Sequence, residues 1–144
     1  IMWAASVALQ GQLSVGVPQD WATHLIGHEL TGAHDIDHAR TLSIVLPALM
    51  KVCKEAKKDK LLQYAERVWN LSHGSDDEKI AQGVEKTENF FQKMMLPVRL
   101  SEVNLSKSDI PNLIEKLIEH GNVALGECGD ITPEISQRIL EVAL

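Results

Sequence analysis

The stretch Asp20-Trp21-Ala22-Thr23-His24-Leu25-Ile26-Gly27-His28-Glu29-Leu30-Thr31-Gly32, continued by Ala33-His34-Asp35-Ile36 and then Asp37-His38-Ala39-Arg40-Thr41-Leu42, decides the fold. Helical periodicity runs from Trp21 to about Gly32, and Asp20 stands where a carboxylate caps a helix. Ala33 to Ile36 reads as a tight turn. The next helix begins near Asp37, a natural N-cap, and carries Leu42, Val45, Leu46, Leu49 and Val52. Pro47 lies inside that run and is expected to kink it. The segment thus predicts a helix–turn–helix. A single unbroken helix would hold His24 and His38 roughly 21 Å apart, whereas a reversal between Gly32 and Ile36 lets them meet.

Outward from this hairpin, helical patterns continue in both directions. Residues 1–13 are apolar almost all round and predict a buried helix, ended by Gly16-Val17-Pro18. Leu61, Leu62, Ala65, Val68 and Trp69 form one apolar stripe. Ser75 and Glu78 make a capping box for a helix bearing Ile80, Val84, Phe90, Phe91 and Met94. Residues 96–105 read as a loop. Ile110, Leu113, Ile114, Leu117 and Ile118 mark another helix, stopped by Gly121, and Thr132-Pro133 opens a last one through Ile135, Ile139 and Leu140. No stretch alternates as a half-buried strand does. The expected fold is all-α, a helical bundle of about six or seven helices.

Composition narrows the functional classes. The 144 residues suit one domain able to bury its own core, with 44% apolar and 24% charged residues. Fourteen Lys and Arg against twenty Asp and Glu give a net charge of −6, without the basic footprint of a nucleic-acid or anionic-membrane binder. The longest apolar run, Leu42 to Met50, is too short to cross a bilayer. Two cysteines, Cys53 and Cys128, lie far apart without a CxxC spacing. They fit a reducing compartment, the cytoplasm, and argue against a disulfide scaffold or a cysteine zinc site. The opening Ile1-Met2-Trp3 already lies within an apolar run and shows no signal-peptide pattern, so the chain reads as part of a longer protein.

Four of the six histidines, His24, His28, His34 and His38, fall within the hairpin. Histidine is the commonest metal ligand and titrates nearest neutral pH, so the cluster points to metal or proton chemistry. The plainer alternative has each ring capping a helix or covering the turn. His24 and His28 share a helix face by their spacing of four, and His38 converges with either of them once the chain folds back. Spacing alone leaves that choice open. Glu29, Asp35 and Asp37 add nearby carboxylates as ligands or orienters. A zincin HExxH reading fails because Gly32 occupies the position of its second histidine. His34-Asp35 forms the dipeptide of HD phosphohydrolases, but the later aspartates Asp76 and Asp77 are better explained by the capping box. A non-catalytic helical interaction module is the remaining alternative.

The spaced pattern Gly16-Val17-Pro18-Gln19-Asp20-Trp21-Ala22-Thr23-His24, Gly27-His28-Glu29-Leu30-Thr31, Asp37-His38-Ala39 and Ile44-Val45-Leu46-Pro47-Ala48 resembles the iron-containing alcohol dehydrogenases. Within them it is most similar to the branch of NADPH-dependent butanol dehydrogenases and broad-range aldehyde reductases. The resemblance extends through Leu61 to Trp69 and the loop Gly126 to Ile131. It implies a dehydroquinate synthase-like C-terminal helical domain spanning 1–144, with the nucleotide-binding domain and the first helices of the helical domain absent. It also implies one divalent ion, Fe2+ or Zn2+, held by an aspartate and three histidines, of which His24 and His38 correspond to the last two. His28 corresponds to a histidine near nicotinamide and substrate that handles protons. No residue here is assigned to the cofactor, which the family binds mainly through its N-terminal domain, with NADP(H) expected rather than NAD(H). Further implications are hydride transfer between alcohols and aldehydes, a homo-oligomer (a dimer), and inactivity of these residues on their own. His34, His73 and His120 carry over no role and are expected to be structural or at the surface.

Overall fold

Seven α-helices and no strand form in the computed structural model, which describes residues 1–144. They are α1 (Met2–Leu9), α2 (Ala22–His34), α3 (His38–Val52), α4 (Lys58–Trp69), α5 (Asp76–Lys93), α6 (Ile110–Glu119) and α7 (Pro133–Val142). The sole β feature is an isolated antiparallel bridge between Leu125 and Ile131. The expected all-α architecture is therefore the observed one.

The α2–α3 hairpin is the centre of the molecule. One carboxylate oxygen of Asp20 accepts the Ala22 N–H at 2.8 Å and satisfies an amide left free at the start of α2. At the other end the backbone reverses at Asp35, which adopts a left-handed conformation with φ of 53°. The two helices then approach closely at Gly27. A Cβ at that position would stand 2.9 Å from the hydroxyl oxygen of Thr41, a fully buried residue whose hydroxyl donates to the His38 carbonyl. Ala22, Ile26 and Leu30 of α2 and Ile44, Val45, Ala48 and Leu49 of α3 enter one core with Leu113 and Leu117 of α6 and Ile139 and Leu140 of α7. Burying one such large aliphatic side chain contributes about 1.5–3 kcal/mol. A second hairpin, α4–α5, packs on α3 through Met50, Leu61, Ile80 and Val84.

Several local signals act as expected. Ser75 and Glu78 form a reciprocal capping box at α5, Gly121 follows α6 with φ of 76°, and the Thr132 hydroxyl accepts the Ile135 N–H. Other elements depart from the sequence pattern. α1 is a helix, but no residue of it is buried; Met2 and Trp3 are 85% and 80% exposed. Being apolar all round, it offers no single face to the bundle, and nothing here encloses it. Asp37 flanks α3 without a side-chain cap bond. α3 continues as helix through Pro47, where the Ser43 hydroxyl donates to Pro97 and to Arg40 carbonyls. Val68, Phe90 and Met94 lie exposed on α4, α5 and the turn after α5 rather than in the core. Residues 96–105, expected as a loop, contain a 3-10 turn at Leu100–Val103 that buries Leu100.

Candidate metal centre

The hairpin turns the histidine spacing into a cluster. His24 and His28 project from neighbouring turns of α2 with ring centroids 6.3 Å apart. His38 is the first residue of α3, and the reversal at Asp35 sets its ring 5.2 Å from His24 and 4.8 Å from His28. Residues fourteen apart in sequence thus become direct neighbours, as the helix–turn–helix reading expects. Spacing left open which of the two His38 meets; it meets both.

Each ring has a different environment. Burial, followed by the nearby imidazoles of His38 and His28, pushes His24 below the usual histidine range and favours its neutral form. A neutral ring offers a nitrogen lone pair, which is what a metal ligand requires. His38 is half-buried, and its Nδ1 is buried with no hydrogen-bond partner. Such an orphaned nitrogen is uncommon and calls for a ligand or a donor. His28 is exposed. It borders a cavity of about 230 Å³ shared with Glu29, Gly32, Ala33, Lys116 and His120. The chemistry of the donor set, imidazoles with an unpartnered nitrogen, fits a divalent ion of the iron or zinc kind. The three rings are neighbours, yet no three His, Cys, Asp or Glu side chains are grouped to hold an ion by themselves.

The remaining candidates go elsewhere. His34 ends α2 and makes no ring contact with the other three, although its Nε2 is also buried without a partner. Asp77 pairs with Lys54 at 3.1 Å and Lys58 at 3.5 Å, and Asp35 forms the exposed turn. Glu29 is buried and pairs with the residue that ends α6, where His120 Nδ1 lies 2.9 Å and 3.1 Å from its two oxygens. Sequence reasoning had no means of pairing residues 29 and 120. Only the chemistry of a carboxylate on a buried helix face hinted that Glu29 needed a partner.

The profile of the Fe-containing alcohol dehydrogenase family, C-terminal, matches residues 1–142. The chain belongs to this family. The NADPH-dependent aldehyde reductase YqhD of Escherichia coli K12 is 55% identical over 143 residues, covering 99% of this chain and 37% of that protein. NADH-dependent butanol dehydrogenase A of Clostridium acetobutylicum is 28% identical over 144 residues, 99% of this chain and 36% of its own. Among solved structures, E. coli K-12 YqhD superposes with a TM-score of 0.97 at 55% identity, covering 99% of this chain and 37% of the other. NADH-dependent butanol dehydrogenase A from Thermotoga maritima gives 0.89 at 28% identity, with 98% and 37% covered. The chain therefore spans little more than a third of the length of these relatives. The fold is that of iron-containing alcohol dehydrogenase C-terminal domains, and membership sets aside the HD phosphohydrolase reading.

Proposed function

We propose that these residues are the metal-holding helical portion of an NAD(P)H-dependent alcohol dehydrogenase or aldehyde reductase. It acts on small aldehydes and alcohols, as a dimer in the cytoplasm, with NADP(H) as the preferred cofactor. The observation that carries this reading is the meeting of His24, His28 and His38 across the α2–α3 hairpin of a family member. A bound divalent iron or zinc ion supplies Lewis-acid polarisation of a carbonyl oxygen, and the nicotinamide supplies or accepts the hydride. His24 and His38 contribute ring nitrogens to that ion, and two further ligands come from outside residues 1–144. His28 holds or hands on a proton at a ring nitrogen; its exposure and its contact with His38 support this role. The nucleotide-binding domain and the first helices of the helical domain are supplied by a longer chain. The uncovered apolar α1 supports that division.

The test grafts residues 1–144 in place of the matching 37% of the E. coli aldehyde reductase. His24→Ala or His38→Ala is expected to remove bound metal together with NADPH-dependent reduction of butanal. His28→Ala is expected to keep the metal and to lower kcat on the order of a hundredfold. Metal loss confined to the His28 variant would reverse the assignment. The 144 residues alone are expected to be inactive and to lose metal on dialysis. Turnover equal to that of the full-length relative, or one tightly held ion per chain, would overturn this reading.

A further inference from the structure

The end of α2 that carries His24 is only partly embedded in the core. Of the first four residues of α2, only Ala22 is buried; the packing of Ile26, Gly27 and Leu30 begins a turn later. A charge holds this end instead. Lys57, just before α4, has a side chain only 11% exposed, and its ammonium bonds Asp20 at 2.8 Å and Glu127 of the loop after α6. The second oxygen of Asp20 is the one that accepts the Ala22 N–H. Trp21 follows: its carbonyl accepts the Leu25 N–H at 2.9 Å, and its indole stands edge-on to the His24 ring with centroids 5.0 Å apart. Contacts therefore run without a gap from Lys57 through Asp20 and Trp21 to His24.

We infer that Lys57 is a positioning residue for His24, fixing the first turn of α2 and the Trp21 ring against which the imidazole rests. The inference rests on the reading of His24 as a metal ligand. Exposed ion pairs contribute little, because solvent screens them and long side chains must be ordered. Lys57 differs in being largely buried and shared between two carboxylates, which makes its hydrogen bonds charge-assisted and geometrically fixed. Burial alone would lower the pKa of its ammonium, yet the bonds to Asp20 and Glu127 push it up to about 12. Without the ammonium, Asp20 and Glu127 become neighbouring like charges. Both gain by turning to water, and Asp20 then leaves the Ala22 amide uncapped.

The experiment compares Lys57→Met with Lys57→Arg in the 144-residue chain by NMR. In the Met variant, amide exchange at Ala22 and Leu25 is expected to be roughly three- to tenfold faster. The His24 ring signals move, and those of α6 stay in place. Lys57→Arg, which still serves both carboxylates, restores the original signals. A folded Lys57→Met protein with unmoved His24 signals overturns the inference. Should that variant fail to fold, Asp20→Asn takes its place, because it keeps an oxygen for Ala22 and removes the charge facing Lys57. Moved His24 signals in that variant support the inference, and unmoved ones overturn it. In the grafted enzyme, Lys57→Met is expected to weaken Co2+ binding on the order of tenfold, and unchanged binding also overturns the inference. An unsubstituted graft that takes up no Co2+ refutes the ligand reading instead, and the NMR comparison still decides whether Lys57 holds the ring.

Discussion

α1 and the α2–α3 hairpin are both rich in apolar residues, yet they have opposite fates. α1 buries nothing, while α2 and α3 supply much of the core. The difference lies in arrangement rather than hydrophobicity. Ile44, Val45, Ala48 and Leu49 of α3 join one core with α2, α6 and α7, while Met50 meets the α4–α5 hairpin. The apolar residues of α1 are spread around its whole circumference, and no one contact can cover a helix that is apolar all round. Hydrophobic content says that a helix wants burial. Periodicity says whether the residues at hand can bury it.

The largest expected effect lies at the centre of the hairpin. Ile44→Ala empties a site with no solvent exposure, and urea unfolding should show a loss of about 2–5 kcal/mol. A loss under about 1 kcal/mol would mean that the hairpin is not the centre of the core. Gly27→Ala sharpens the comparison at the closest approach of α2 and α3. Its new methyl group meets the Thr41 hydroxyl, and Thr41 is buried and bonded to the His38 carbonyl. The expected cost is about 1–3 kcal/mol, accompanied by displaced His38 ring signals in NMR spectra. Unmoved His38 signals would break the link drawn between helix packing and histidine geometry. The smallest effect on stability belongs to α1. Trp3→Ser should change unfolding free energy by no more than about 0.5 kcal/mol, while sedimentation shows less self-association because an exposed apolar patch has been broken. A stability loss comparable to that of Ile44→Ala would show that α1 is covered after all.

Element type was legible wherever one short-range interaction decides it. Ser75 with Glu78, Thr132 with Pro133 and Gly121 each satisfy or end a helix within one turn, and each acts as the sequence predicts. Burial was legible for Leu61 and Ala65, which face α5, but not for Val68 on the same stripe. A stripe defines which way a side chain points, whereas the reach of the neighbouring helix decides whether anything covers it.

The same division holds at the candidate site. By itself the sequence determined the residue types, the helical spacing of His24 and His28, the turn that returns His38 to them, and the family pattern that contains all three. Those follow from backbone periodicity and local turn chemistry, which extend over a few residues. Only the tertiary structure decided that His38 touches both partners, that its Nδ1 lies buried without a hydrogen bond, and that Glu29 pairs with His120 at the end of α6. Tertiary contact likewise brought Lys57 to Asp20 and Glu127. Each of these depends on where whole helices settle against one another. That position is set by the summed packing of distant side chains, which no local spacing encodes.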